Sequence, residues 1–243
     1  MSPTRRVLVV LPAFNEEESV AHVIEEVRRE IPEAGCLVVD DGSSDRTTEV
    51  AREAGAYVAR LPYNLGVGGA MRLGFRYAIA NGYDVVVQID SDGQHDPATV
   101  SALLAGLDEA DIVIGARFAG VGDYQVKGPR KWAMKLLSMT LSRAAKTRLT
   151  DTTSGFKACG PRAIELFARH YPAEYLGDTI EALVIALRNG LTVSQVPVAM
   201  RERMGGKPSH NPAKSAIYLS RAVIALFFAF VRPAETNTPE AAV

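Results

Sequence analysis

Tyr83-Asp84-Val85-Val86-Val87-Gln88-Ile89-Asp90-Ser91-Asp92-Gly93-Gln94-His95-Asp96-Pro97 is the stretch on which the fold turns. The run up to Ile89 is strongly apolar and β-branched, as a buried strand of a parallel sheet is. It ends in two carboxylates one residue apart. The carboxyl end of a strand is where open α/β sheets bind ligands. Such a pair can hold one divalent cation, and Mg²⁺ and Mn²⁺ favour carboxylate oxygens while bridging to substrate phosphates. Gly93 to Pro97 allow a tight turn and then open a helix, with Asp96 as its cap and Pro97 at its first position. An Asp-x-Asp pair is more often a solvated turn. The strand before it and the helix after it favour a metal-diphosphate site instead.

Upstream, strand and helix alternate. Arg6 to Leu11 reads as a strand. Asn15 is placed to cap the next helix, with Glu18 as its capping-box partner. Val20, Val23, Ile24, Val27 and Ile31 make one apolar stripe at helical spacing, which is core. Leu37-Val38-Val39 is a second strand, ending in Asp40-Asp41-Gly42, and Ser43 or Ser44 starts the helix after it. A short strand lies near Tyr57-Val58. A glycine-rich turn, Asn64 to Gly69, leads into a helix through Ala80 that Gly82 stops. Ile112-Val113-Ile114 is another strand. This rhythm predicts an α/β fold with a doubly wound, mostly parallel sheet flanked by helices. Past residue 120 it changes: an amphipathic helix spans Trp132 to Leu141, Ile164–Ala168 and Thr179–Arg188 are helical, and Thr192–Val198 is a strand.

The 243 residues suffice for one α/β domain with a substantial core. Cys36 and Cys159 offer neither a disulfide framework nor metal-ligand spacing, which suits a reducing, cytosolic compartment; Cys36 opens a strand as a core residue. The N-terminus leads into a strand rather than a signal peptide. The net charge of −1 hides an asymmetry: residues 1–123 carry 10 Arg, no Lys and 20 acids, whereas residues 124–243 carry 17 cations against 8 acids. Lys127 to Arg148 holds seven cations and no acid. That tract is either a solvated helix face or a surface for anionic lipid head groups or a phosphorylated acceptor. No aromatic platform interleaves it, which argues against nucleic acid.

Ala222 to Val231 is a run of ten apolar residues between Arg221 and Arg232. A membrane span needs about 20. The surrounding segment 213–232 is read as an apolar or amphipathic helix that lies in a membrane interface or docks on a partner, with packing on its own domain as the other option. The division expected is a catalytic domain over 1–212, that helix, and a disordered tail over 233–243.

Pro12-Ala13-Phe14-Asn15-Glu16 follows the first strand and Asp40-Asp41-Gly42-Ser43-Ser44-Asp45 the second. Asn64-Leu65-Gly66 with Gly69 and Ala70 precedes a helix, and Asp90-Ser91-Asp92-Gly93-Gln94 follows the central strand. Together they resemble the family 2 glycosyltransferases of the GT-A fold, and within them the polyprenyl-phosphate sugar synthases of the dolichol-phosphate mannose synthase type. The resemblance runs from about Arg5 to Ser209.

The resemblance implies a set of roles. Pro12, Ala13, Asn15, Glu16, Asp40, Asp41, Gly66, Asp90 and Ser91 would bind the nucleotide-sugar donor, with Asp41 on the base. Asp40 and Asp41 also suit plain turn formation and helix capping. Asp90, Asp92 and Gln94 would hold Mg²⁺ or Mn²⁺; Gln94 also suits a simple turn, and His95 is either a further ligand or a polar loop residue. Arg117, Arg130, Ser154, Arg203 and Lys207 would bind the acceptor, since the planar fork of arginine suits phosphate. Each arginine alone could equally be a surface cation. Asp92, Asp151 and Arg117 would serve catalysis. Thr150 to Lys157 resembles the family's Asp-x-x-Ser-Gly-Phe element. Asp178 and Glu181 are weaker candidates that could simply cap a helix. Lys207-Pro208-Ser209 departs from the family's usual Ser-Lys order.

The activity implied is inverting transfer of a sugar from a UDP- or GDP-sugar to a polyprenyl phosphate, for a cell-envelope glycan. The enzyme would be cytoplasmic and peripheral at the inner face of the membrane, through its own helix or a small membrane protein, with a homo-oligomer as an option. Two further classes fit the same donor site: a glycosyltransferase with a soluble acceptor, and a non-catalytic nucleotide-sugar-binding subunit. Nucleotidyl transfer is more remote, because Pro12 to Glu16 lacks a Gly-rich, cationic loop.

Overall fold

A computed structural model describes residues 5–117, 138–172, 178–201 and 203. The strands are β1 (Val7–Ala13), β2 (Gly35–Asp40), β3 (Tyr57–Arg60), β4 (Val85–Gln88), β5 (Ile112–Ala116), β6 (Lys157–Cys159) and β7 (Val193–Pro197). The helices are α1 (Val20–Glu30), α2 (Thr47–Glu53), α3 (Gly66–Ala80), α4 (Val100–Gly106), α5 (138–145), α6 (Pro161–His170) and α7 (Asp178–Arg188). The strands form one sheet in the order β3-β2-β1-β4-β6-β5-β7.

Side chains alternate across each strand, so one strand feeds two cores. Leu8 and Val10 of β1, Val86 of β4 and Ile112 and Ile114 of β5 face α3, α6 and α7, where Met71, Phe75, Phe167 and Leu183 meet them. Val7, Val9 and Leu11 of β1 and Val85 and Val87 of β4 face the other way, onto Val23, Ile24 and Val27 of α1 and Leu103 of α4. The apolar stripe on α1 is therefore core, as its spacing predicts, and so is Cys36, whose thiol burial pushes up to about 12.

β1 pairs in parallel with both β2 and β4. The chain builds β2 and β3 on one side of β1 and then crosses to the other for β4. A crevice opens at the carboxyl ends of strands where their order reverses in this way. The doubly wound, mostly parallel sheet expected from the sequence is present, with one addition. β6 is antiparallel and lies between β4 and β5, with Lys157 opposite both Gln88 and Ile114. This three-residue strand delivers Asp151 to Phe156 to the same edge.

Local start signals fare less well. α1 begins at Val20 with Ser19 before it, so Asn15 and Glu18 do not form its capping box. Asn15 adopts a left-handed backbone and spends its side-chain oxygen on the Ser44 N–H, 2.9 Å away. α2 begins at Thr47, later than Ser43 or Ser44, and Asp45 Oδ1 accepts from the Thr47 N–H at 3.0 Å. Gly66 to Gly69 form the first turn of α3 itself rather than a turn before it. Asp96 and Pro97 behave as expected: the Asp96 side chain accepts from the Ala98 N–H in a 3-10 turn that runs into α4. The amphipathic helix read over Trp132–Leu141 is described only from residue 138. The 213–232 helix and the 233–243 tail lie outside the described residues.

α3 approaches β1 closely at Gly74, where an added Cβ would sit 2.7 Å from Val10 Cγ1. Val10 is buried and stiff at χ1, so it cannot turn away. Gly74→Val is expected to lower unfolding free energy by about 1–3 kcal/mol. Urea denaturation checks this, and an unchanged midpoint would show that the helix–sheet contact is loose.

Candidate active site

The carboxyl ends of β1, β2, β4 and β5 bring most of the candidate residues together. Ser91 Oγ donates to the Pro12 carbonyl at 2.9 Å, tying the loop after β4 to the end of β1. The Asp41 N–H donates to the Ala13 carbonyl at 2.8 Å, and the Asn15 N–H to Ser43 Oγ at 2.9 Å.

The two acids after β2 are committed to structure. Asp40 is fully buried; it accepts from the Ser43 N–H at 2.8 Å and from the Thr48 hydroxyl, with Arg60 Nε 3.6 Å away. Asp41 caps α3 from a distance in sequence: its two oxygens accept from the N–H groups of Leu65 at 2.7 Å and Gly66 at 2.8 Å. Burial pushes the Asp41 acid above its ordinary range, opposed by those two bonds. Gly66 has φ of +81° there, a conformation open to glycine. The capping alternative for these acids is thus realised, and together they fix the floor of the crevice.

Beside that floor lies a concentration of negative charge. Glu16 and Asp92 are both largely buried. Arg203 Nη2 reaches both, 3.1 Å from Glu16 Oε1 and 3.3 Å from Asp92 Oδ2. Arg203, which the resemblance gives to the acceptor, thus lies between Glu16 and Asp92. Burial raises the acid of Glu16. Asp92 is raised by burial first and by the Asp90 charge second. The Gln94 N–H donates to Asp92 Oδ1 at 3.0 Å, orienting that carboxylate.

Asp90 is held from behind. Its N–H donates to His95 Nδ1 at 3.0 Å, which leaves the imidazole proton on Nε2, 3.7 Å from Asp90 Oδ2. His95 is buried and stacks on Phe156 with centroids 4.8 Å apart, so it supports the loop from the core. A Cβ on Gly155 would sit 3.2 and 3.3 Å from the two Asp90 oxygens, so the Ser-Gly-Phe element packs directly beneath this carboxylate. The Ser154 hydroxyl is buried with no hydrogen-bond partner among the described residues.

Across the edge, Arg117 follows β5. Its Nε lies 2.6 Å from Asp151 Oδ2, and its Nη2 lies 3.2 Å from Asp151 Oδ1 and 3.0 Å from Thr153 Oγ1. Asp151 is fully buried and Arg117 partly open. Arg130 and Lys207 lie outside the described residues, as does the side chain of Asp178; Asp178 begins α7 and Glu181 lies in its first turn.

Sequence reasoning missed Arg201 and Glu26. Arg201 Nη1 sits 2.8 and 2.9 Å from the two Glu26 oxygens, and its Nη2 sits 2.8 Å from Asp96 Oδ1. Part of the signal was present: Arg201 and Arg203 are two apart beyond a strand, and Glu26 flanks the apolar stripe of α1.

Among the described residues no three His, Cys, Asp or Glu side chains converge as a ready metal cage. A divalent ion at a diphosphate needs only one or two carboxylates, with waters and phosphate oxygens completing the shell. Asp90 and Asp92 supply that, and among the described residues the carboxylates there outnumber the Arg203 guanidinium, which suits a cation. The donor set therefore fits Mg²⁺ or Mn²⁺.

The model of glycosyl transferase family 2 matches residues 8–167, and the chain belongs to that family. It is 34% identical over 214 residues to the undecaprenyl-phosphate mannosyltransferase of Micrococcus luteus, across 83% of this chain and 86% of that protein. It is 31% identical over 234 residues to the polyprenol monophosphomannose synthase of Mycolicibacterium smegmatis, across 89% and 86%. Among solved structures, glucosyl-3-phosphoglycerate synthase from Mycobacterium tuberculosis, in complex with Mn²⁺, UDP and glucosyl-3-phosphoglycerate, superposes with a TM-score of 0.71. That match is 23% identical and covers 96% of this chain and 82% of that one, a likeness of fold.

Removing the Arg117 guanidinium would take the cation from the buried Asp151 carboxylate and leave it on the Arg117 and Thr153 N–H groups and the Thr153 hydroxyl. A fully buried pair broken on one side costs about 3–5 kcal/mol, and the partial exposure of Arg117 discounts that to about 2 for Arg117→Met. Chemical denaturation should show the loss; a variant as stable as the parent would mean that Asp151 needs no cation.

Proposed function

We propose that this chain transfers a sugar from a UDP- or GDP-sugar to a polyprenyl phosphate, with inversion at the anomeric carbon. The observation that carries the donor half is the pairing of Glu16 and Asp92 across the Arg203 guanidinium at the carboxyl edge of the sheet, with the Asp90 carboxylate close enough to Asp92 to raise its acid. Support for the acceptor half comes from the two relatives named above, whose names specify polyprenyl carriers and which align over more than four-fifths of the chain. A third, from Methanococcus voltae, is a UDP-N-acetylglucosamine–dolichyl-phosphate N-acetylglucosaminyltransferase, 26% identical.

In this reading Pro12, Ala13, Asn15, Glu16 and Ser91 line the nucleotide pocket, on a floor set by Asp40, Asp41 and Gly66. Asp90 and Asp92, with Gln94, hold Mg²⁺ or Mn²⁺, which when bound neutralises charge on the departing diphosphate as a Lewis acid. Arg117, Arg130, Ser154 and Lys207 receive the acceptor phosphate, and Arg203 approaches from the donor side. An acceptor phosphate oxygen attacks the anomeric carbon as its bond to the diphosphate oxygen breaks, and the nucleoside diphosphate leaves. A phosphate monoester has its second pKa at ~6, so no strong general base is required. That suits Asp151, whose oxygens are engaged by Arg117: it positions the guanidinium instead of accepting a proton. Catalysis then rests on positioning and charge stabilisation.

Among the described residues no helix is long and apolar enough to cross a membrane. A lipid acceptor still requires membrane contact, which we assign to the 213–232 segment or a small membrane protein, at the cytoplasmic face.

The test is transfer from a panel of UDP- and GDP-sugars with Mn²⁺ or Mg²⁺, with and without undecaprenyl phosphate in detergent. Lipid-dependent release of one nucleoside diphosphate, with the sugar recovered in the lipid fraction, is expected. Transfer to a soluble acceptor alone would overturn the lipid half. Asp92→Ala should lower transfer by more than about 100-fold while keeping the unfolding midpoint; an active variant would remove Asp92 from the site.

A further inference from the structure

After β7 the chain crosses over the Asp90–Asp96 loop. Met200 forms an antiparallel bridge with His95, and the Arg201 N–H donates to the Gln94 carbonyl at 3.0 Å. The Arg201 guanidinium then grips two elements at once, Glu26 on α1 and Asp96 at the start of the 3-10 turn. Two residues on, Arg203 meets Glu16 and Asp92. Arg203 follows Arg201 by only two residues, so fixing the Arg201 backbone and guanidinium limits how far Arg203 can move from Glu16 and Asp92. Glu26 also has Arg29 at 3.5 Å and His22 at 3.7 Å, so it keeps charged or titratable company if Arg201 is lost.

We propose that Arg201 is a positioning residue for the donor site: its clamp on Glu26 and Asp96 orders Val198 to Arg201 before any ligand arrives, and so holds Arg203 against Glu16 and Asp92. The inference rests on the donor-site reading above. The ordering entropy of the segment is then spent on folding and not charged against donor binding. Arginine suits the task because one planar fork reaches two carboxylates on different elements, which a lysine point charge does not.

Two measurements on the full chain test it. The first is hydrogen exchange over residues 198–201 without ligand, in the parent, Arg201→Met and Glu26→Gln. Exchange there should rise roughly tenfold in both variants, as loss of a local tether allows. If either variant fails to fold, the other reads the same clamp from its opposite side. The second is calorimetric binding of UDP and GDP with Mn²⁺ in the parent, Arg201→Met, Arg203→Ala and the double variant. Affinity should fall roughly tenfold on Arg201→Met in the parent and by less than about twofold in the Arg203→Ala background, because coupled residues are non-additive. Unchanged exchange in both variants would overturn the clamp. Equal affinity losses in the two backgrounds would overturn its action through Arg203. If exchange rises but the parent binds neither nucleotide, the ordering clamp stands and the donor reading fails.

Discussion

The arrangement at the carboxyl edge depends on holding Glu16, Asp90 and Asp92 close together and partly out of water. Burial penalises a charged carboxylate and raises the acids of Glu16 and Asp92 first, and repulsion from a neighbouring carboxylate adds to it. Every neighbouring device serves to make that tolerable. Arg203 bridges Glu16 and Asp92, the Gln94 N–H orients one carboxylate, and His95 and Gly155 fix the backbone and packing of another. What one guanidinium leaves uncompensated is the charge that a divalent cation with a diphosphate would balance.

The fold was largely legible because its strongest signals are periodic. The apolar runs at β1, β2, β4 and β5 and the stripe on α1 follow from burial on one or two faces, which composition records directly. β6 was illegible for the opposite reason. It has three residues, one of them Lys157, and it becomes a strand through its neighbours Gln88 and Ile114. The caps at Asn15 and Ser43 misled because their side chains bond across loops some 28 residues apart instead of to their own helices. At Asp96 the local cap holds together with a distant partner, because one oxygen accepts from the Ala98 N–H and also meets the Arg201 guanidinium.

The candidate site divides in the same way. Residue types at strand ends pointed to the crevice, and the chain does bring Glu16, Asp41, Asp90, Asp92, Arg117 and Asp151 to one edge of the sheet. Their division of labour needed coordinates. Asp41 suits either a base contact or a local cap in sequence, yet both its oxygens lie on backbone 24 and 25 residues away. Asp151 and Arg117 look like two independent candidates and form one bidentate unit. On that edge Glu16, Asp90 and Asp92 lie on the β1–β4 side and the Arg117–Asp151 pair on the β5 side.

The most direct check is Mn²⁺ binding to the purified chain, followed by electron paramagnetic resonance as UDP or GDP is added. The account predicts about one Mn²⁺ bound per chain when the matching nucleoside diphosphate is present, and little without it, since two carboxylates alone leave the coordination shell to water. Absence of Mn²⁺ and Mg²⁺ binding with either nucleotide would contradict the assignment of this edge as a donor site built around a cation.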